Sequence, residues 1–235
     1  MKKATFLFLL ALILAASVQA QNSRFSMGMY ITIDDALQSY DENLDTNPVG
    51  ISLSGMYHLP NSKISLGSAF GVAMYTNDNY TEDLSDKGYT DSYATVYEED
   101  CYLSYSVFAR YDLVEVGPLT PYAEVRFGGN SFFSSKDYSD ISGSAPDYIE
   151  SEFDFHGTSF KTGIGGGVLI NFGKFKSEPR TSRVSIDISA IASNGSAATY
   201  RSLRERNNGP TTNEANFYNS KTNNIVYRIG AAFRF

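Results

Sequence analysis

The sequence predicts an all-β fold, an eight-stranded antiparallel up-and-down transmembrane β-barrel. Three observations carry that prediction. Eight segments alternate apolar and polar residues with a period of two. The connections between them alternate between short, proline-bearing turns and long, polar stretches. One face of each segment is almost wholly apolar, while the other gathers Arg, Lys, Asp, Glu, Ser and Gly.

Composition narrows the classes before any segment is placed. The chain has 235 residues, 42% of them hydrophobic and only 19% charged, with 16 Phe, 17 Tyr and 19 Gly, which is the make-up of an ordered chain. A net charge of −7, from 26 acids against 19 bases, argues against nucleic acid as a partner. One cysteine excludes an internal disulfide and a CxxC-type metal site, and two histidines leave little for a metal, so no cofactor or metal is expected.

The first 20 residues read as a secretory signal peptide. Lys2 and Lys3 precede an apolar run of eleven residues, 6–16, and Val18 and Ala20 supply small residues before a cut ahead of Gln21. That run is too short to span a bilayer as a helix, and no later segment reaches eighteen apolar residues. No cysteine follows the cut, so no lipid anchor is expected. Residues 21–235 form the barrel domain.

Each strand is justified by its own alternation. In 24–34, Phe25, Met27, Met29, Ile31 and Ile33 oppose Arg24, Ser26, Tyr30, Thr32 and Asp34. In 49–58, Val49, Ile51, Leu53 and Tyr57 oppose Ser52, Ser54 and His58. In 63–75, Ile64, Leu66, Phe70, Val72 and Met74 oppose Ser65, Gly67, Ala69 and Gly71. In 101–112, Cys101, Leu103, Tyr105, Val107 and Tyr111 oppose Ser104, Ser106, Arg110 and Asp112. In 121–129, Ala123, Val125 and Phe127 oppose Tyr122, Glu124 and Arg126. In 158–172, Phe160, Ile164, Val168, Ile170 and Phe172 oppose Lys161, Gly163, Gly165 and Asn171. In 183–193, Val184, Ile186 and Ile188 oppose Arg183, Ser185 and Asp187. In 224–235, Ile225, Tyr227, Ile229, Phe233 and Phe235 oppose Arg228, Gly230 and Arg234.

The connections set the topology. Those at 59–62, 113–120 and 173–182 are short and hold Pro60, Pro118 and Pro179, while 35–48, 76–100, 130–157 and 194–223 are long. An up-and-down sheet then puts short turns on one rim and long loops on the other, with both termini on the short-turn side. Energetics chooses the outer face. A charge on a barrel's lipid wall costs about 2–4 kcal/mol at the midplane, so the charged face turns inward. Closure pairs every backbone group, which an open sheet in hydrocarbon could not do. Phe25, Tyr57, Tyr111 and Phe172, with Phe235, fall near the short-turn rim and are read as an aromatic girdle.

The last residues carry a resemblance. Arg228-Ile229-Gly230-Ala231-Ala232-Phe233-Arg234-Phe235 reads polar, x, Gly, x, x, hydrophobic, x, aromatic. With the signal peptide and eight strands, this resembles the small outer-membrane β-barrel superfamily of the OmpA barrel domain, OmpX and opacity-protein types. The resemblance implies an outer-membrane location, long loops outside, termini in the periplasm, and surrounding outer-membrane lipid and lipopolysaccharide. It also implies delivery to the barrel-assembly machinery through a signal comprising Arg228, Gly230, Phe233 and Phe235. No cell-wall-binding segment follows the barrel, so tethering is not expected.

Candidate chemistry lies in the lumen and loops. Arg24, Arg110, Arg126, Lys161, Arg183, Arg228 and Arg234 are placed inward against Asp112, Glu124 and Asp187. Ion pairs are expected among Arg110, Glu124, Arg126, Asp187 and Arg228, with Glu124 joined to Arg110 or Arg126. These could form a rigid plug or a gated solute path. Residue Asp34 and the stretches 35–48, 76–100 and 130–157 hold 19 of the 26 acids, giving an anionic long-loop rim. Asp78, Glu82, Asp83 and Asp86 lack calcium-loop spacing, and solvated mobile loops are expected. Arg201, Arg204 and Arg206 are likewise expected in solvent, with pairing to the acidic loops or to lipid A phosphates as the alternative. Tyr80, Tyr89, Tyr93, Tyr97, Tyr138, Tyr148, Tyr200 and Tyr218 suit either adaptable binding or strands continuing above the membrane. His156 near Thr158 faintly resembles the His-x-Ser of lipid A deacylases, and His156 near Asp154 an omptin-type protease. His58 is read as interfacial and Cys101 as a small outward apolar residue. The expected function is structural or surface-interactive, through long acidic Tyr-rich loops with an unknown ligand. A narrow porin-like channel and a lipid A-modifying hydrolase are alternatives, and no enzymatic activity is expected.

Overall fold

Side chains that alternate in polarity hold a backbone extended only when each face has its own solvent, and here both faces find one. The computed structural model describes residues 24–44, 46–146, 149–177, 180–202 and 216–234. The signal peptide, Tyr148, Arg204, Arg206 and Phe235 lie outside the described residues, as does the side chain of Arg183. In chain order the elements are β1 (Phe25–Ala36), a one-turn helix α1 (Ser39–Asn43), β2 (Val49–His58), β3 (Ile64–Asp83), β4 (Tyr93–Asp112) and β5 (Leu119–Ser142). They continue with β6 (Glu152–Ser177), β7 (Arg180–Gly195), β8 (Ala197–Ser202), β9 (Asn216–Lys221) and β10 (Asn224–Arg234). Among the described residues no helix is long and apolar enough to cross a membrane.

Eight strands close on themselves in the order β1-β10-β7-β6-β5-β4-β3-β2. All neighbours are antiparallel, and β1 shuts the ring by pairing with β2 on one side and β10 on the other. The closing ladder runs from Ser26 opposite Arg234 to Ala36 opposite Asn224. No strand edge is left to face hydrocarbon, where unpaired N–H and C=O groups would each cost several kcal/mol. The outer wall is apolar and open: Met29 is 63% exposed, Phe70 60% and Ile164 67%, as a lipid-facing surface requires. Phe25, Tyr111 and Phe172 lie on the same outer wall near the short-turn rim, and the rings of Phe25 and Tyr57 stand 5.1 Å apart there.

The long connections depart from the expected solvated loops. β3 and β4 run 20 residues each, β5 24 and β6 26. At ~3.3 Å per residue and a tilt of ~40°, ten residues already cover the ~25 Å apolar band, so these strands rise far above it. The ladder continues through Asp83 opposite Tyr93 and Lys136 opposite Glu152. Polar composition hid this, because above the membrane both strand faces can be polar without breaking the ladder. Bulges at Met74/Thr76 and Phe132/Phe133 mark the start of the raised portion. The short connection at 173–182 also keeps pairing, from Lys174 opposite Arg183 to Ser177 opposite Arg180. Finally, β8 and β9 form a separate two-stranded hairpin in the last long connection.

Ile164 sits opposite Val125 and Ala192, midway up the lipid wall. Ile164→Arg is expected to destabilise the barrel by about 2–4 kcal/mol, read as a shifted denaturant midpoint in lipid vesicles. An unchanged midpoint would remove Ile164 from the lipid face.

Candidate functional site

The lumen is built from inward side chains whose heights are set by the strand register. Arg110 on β4 stands directly opposite Glu124 on β5, and Arg126 follows two residues later on the same face. Arg228 on β10 stands opposite Ser189 on β7, whose Asp187 lies opposite Gly230. Closure swings these strands onto one charge layer. Arg110 donates from Nε (3.0 Å) and Nη2 (2.9 Å) to one oxygen of Glu124. Arg126 Nε (2.5 Å) and Arg228 Nη2 (3.4 Å) reach the other. Arg110 also lies 3.3 Å from Asp187, and Arg228 Nε donates to Ser189 at 3.0 Å. Tyr30 (3.0 Å) and Tyr122 (2.6 Å) donate their hydroxyls to the two oxygens of Asp187. Glu124 is 1% exposed and Asp187 0%. Glu124 thus meets Arg110, Arg126 and Arg228 together, where one partner, Arg110 or Arg126, was expected.

Aromatic rings pack between these charges. The Arg110 guanidinium lies 3.7 Å over the Tyr122 ring, and Arg126 and Arg228 lie 5.0 Å over Phe108 and Tyr30. Glycine makes the room. A Cβ on Gly67 would sit 2.5 Å from the Phe108 ring, and one on Gly28 2.4 Å from the Tyr30 hydroxyl. The polar face therefore alternates Gly with large residues for packing reasons.

Cavities lie above and below this layer. The upper one, about 80 Å³, is lined by Thr32, Asp34, Asn130 and Lys161, with Arg126 and Arg228 at its floor. Asp34 accepts from Tyr102 and from Asn224 Nδ2 (2.7 Å), and Lys161 donates to Asn224 Oδ1 at 3.1 Å. The lower cavity, about 40 Å³, is lined by Arg110, Asp112, His58 and Arg234. His58 was expected at the interface; instead its ring nitrogens bridge inward Ser26 (2.6 Å) and Ser65 (2.7 Å). Arg24, expected in the lumen, is exposed at the rim, 3.5 Å from the Tyr57 hydroxyl.

An aromatic lid lies over the upper cavity, which Tyr102 lines. Tyr40 on α1, Tyr75, Tyr102, Phe132 and Tyr200 on β8 pack into one buried cluster with Ala36, Leu44, Ala73 and Ala198. Tyr40 meets Tyr200 edge-on at 5.2 Å, and Phe132 lies 5.5 Å from Tyr200. Arg201 takes the alternative to solvent: it is buried beside the lid and paired with Glu98 of the acidic 76–100 stretch, with Asp100 at 3.7 Å. Glu98 and Asp100, assigned to a solvated loop, are both fully buried, because the raised strands carry an interior with them. Tyr200 likewise belongs to the lid rather than to an adaptable surface. Residue Cys101 keeps the outward phase but is largely covered, between Met74 and Phe133 in the register.

The enzymatic readings find no matching geometry. His156 Nε2 lies 2.5 Å from Ser134 Oγ, while Thr158 pairs with Ser131 at 3.3 Å. The Ser134 hydroxyl donates to Asp100, so His156 donates to serine instead of drawing its proton. That is a structural relay, opposite in sense to nucleophile activation. Asp154 is exposed on the same strand. Among the described residues no group of three or more His, Cys, Asp and Glu is placed to hold a metal.

A closed eight-stranded ring with a lipid-facing wall and a filled, charged interior defines a small outer-membrane β-barrel. The sequence matches the family described as Outer membrane protein beta-barrel domain over residues 6–189, and the chain belongs to that family. Such proteins sit in outer-membrane lipid and lipopolysaccharide. Solved structures similar to it include Neisserial surface protein A, with 14% identity, a TM-score of 0.47, and 89% of this chain and 95% of that one covered. Another is Ail, the attachment invasion locus protein of Yersinia pestis, solved with the heparin analogue sucrose octasulfate; it has 14% identity, a TM-score of 0.42, and 90% and 97% coverage. A major outer membrane protein from Thermus thermophilus has 12% identity, a TM-score of 0.36, and 89% and 99% coverage. No curated protein matches the sequence.

Two outcomes are expected. Glu124→Gln leaves three arginines around a neutral amide and should cost about 3–5 kcal/mol by denaturant unfolding; parent-like stability would contradict the shared-carboxylate layer. Burial lowers the affinity of His156 for a proton, against a smaller opposing pull from Asp154. Its ring meets Phe217 of β9 at 5.2 Å. As pH falls through about 6.5, the opened form takes up a proton that the closed form resists, so the closed lid weakens. Amide protection factors in β9 should fall between pH 7.5 and 5.5 in the parent and stay level in His156→Gln.

Proposed function

We propose that the protein works at the cell surface, as a structural and adhesive envelope protein without enzymatic activity. One observation carries this reading: β3–β6 rise well above the apolar band, while Tyr40, Phe132 and Tyr200 fill the barrel's mouth. The large element is therefore the outer one, and the barrel's mouth is packed. The raised part is acidic where it meets solvent, with Asp83, Asp91, Asp137, Asp140, Glu150 and Asp154 all exposed. It also shows outward Tyr93 and Tyr97, which supply amphipathic contact area at low entropic cost. This chemistry suits a basic partner surface.

The rest of the reading follows the barrel's orientation. Residues 1–20 serve as the signal peptide, the long-loop rim faces outward and the termini face the periplasm. Arg228, Gly230, Phe233 and Phe235 present the terminal strand to the barrel-assembly machinery. Phe25, Tyr57, Tyr111 and Phe172 anchor the periplasmic interface. A narrow channel is disfavoured by the lid and by the charge layer between the two cavities.

The test trims both raised hairpins in register, removing residues 80–96 and 137–151. Vesicles carrying the parent should be retained on polylysine beads but not on polyglutamate beads, and the trimmed variant on neither. The parent should also show no steady conductance in planar bilayers. Equal retention of both proteins, or steady parent openings abolished by Glu124→Ala, would overturn the proposal.

A further inference from the structure

The upper cavity is a place in the described lumen where fixed charges do not balance. Three guanidinium groups, of Arg110, Arg126 and Arg228, share only Glu124 and Asp187. Above them Lys161 and Asp34 add one charge of each sign. Below, Arg234 lines the lower cavity with Asp112 and Glu115, so the excess is local to the upper side, where, among the described residues, Arg126, Arg228 and Lys161 face Asp34 alone. The layer thus retains an excess positive charge, enclosed by lipid-facing strands on all sides. An uncompensated charge in such surroundings costs several kcal/mol.

A second, independent observation marks where that charge is unmet. Arg126 gives its Nε to Glu124, but its Nη2 is buried with no hydrogen-bond partner; Nη1 of Arg110, on the lower side, is also unpartnered but stands beside the acids Asp112 and Glu115 of the lower cavity. Arg126 lines the 80 Å³ cavity. A buried guanidinium N–H without an acceptor carries its full desolvation penalty. Asp34 lines the same cavity and takes Tyr102 and Asn224 on one oxygen, but no hydrogen bond or ion pair joins its carboxylate to Arg126. Thr32, Ser104, Ser106 and Ser193 add hydroxyl donors to the same walls. The volume admits several water-sized particles.

We propose that this cavity binds a small monovalent anion of the halide class, held by Arg126 Nη2 and flanked by Arg228 and Lys161. The anion supplies both the missing acceptor and the missing negative charge, which water supplies only in part. It neutralises the layer without opening it, so the site is a resident counterion site and is independent of any surface partner. The lid above, with Tyr102 as its floor, keeps the anion in place.

Crystals of the refolded protein grown in bromide test this directly. One anomalous peak is expected inside the cavity, within hydrogen-bond distance of Arg126 Nη2, absent in Arg126→Gln and retained in Arg126→Lys. A solution arm compares thermal unfolding in chloride with unfolding in gluconate, which is too large to enter, at equal ionic strength. The parent should melt higher in chloride, and Arg126→Gln should show no difference. A cavity holding only water at saturating bromide, bromide bound only on the outer surface, or an equal chloride effect in both proteins would overturn the site. If Arg126→Gln does not fold, the parent's bromide map decides alone.

Discussion

Every feature of this protein depends on one constraint: in hydrocarbon, no backbone N–H or C=O can be left without a partner. The ring meets it by pairing β1 with both β2 and β10, so the sheet has no edge. Closure then forces a choice of face. Apolar side chains go to lipid, and the charged residues of the charge layer are driven into a space just wide enough for side chains. Those charges cannot reach water, so they must satisfy one another. The Glu124–Arg110–Arg126–Arg228–Asp187 layer is the direct result of sealing the backbone.

The lumen that results is layered. A small cavity near the short-turn rim gives way to the charge layer, then a larger cavity, then the aromatic lid. Each layer borrows from distant parts of the chain, since Arg110 and Asp187 are 77 residues apart and Arg201 and Glu98 103. The strands that rise above the membrane carry this interior upward. They convert what composition marks as loop into wall, and they free the last connection to fold its hairpin over the mouth. The protein is thereby rigid inside and rich in acidic, tyrosine-bearing surface outside.

Much of the fold was legible in the sequence because the period-two alternation records which face meets lipid. Ile164 and Val125 read outward, and Glu124 and Arg126 inward, from parity alone. The raised strands were not legible. Above the bilayer both faces meet polar surroundings, so Glu98 and Asp100 look like loop acids although their parity continues that of Tyr102. For Arg201 an acidic-loop partner was one open reading, but its burial and its particular acids were hidden: they come from β4, and nothing local to β8 announces them. His58 and Arg24 show the limit at the rim, where one more turn of tilt decides between lumen and water. The glycines of the polar face were visible, but their purpose was not; it takes the rings of Phe108 and Tyr30 to show what they make room for.

The central claim is that lipid bathes one parity of each spanning strand and that the opposite parity is walled off. A spin-label scan along residues 158–172 of β6, in a Cys101→Ser background reconstituted in vesicles, measures this most directly. The account expects oxygen accessibility to oscillate with a period of two, high at positions 160, 164, 168 and 170 and low at 161, 163, 165 and 167. A flat profile, or the opposite phase, would contradict a closed barrel with its charges inside.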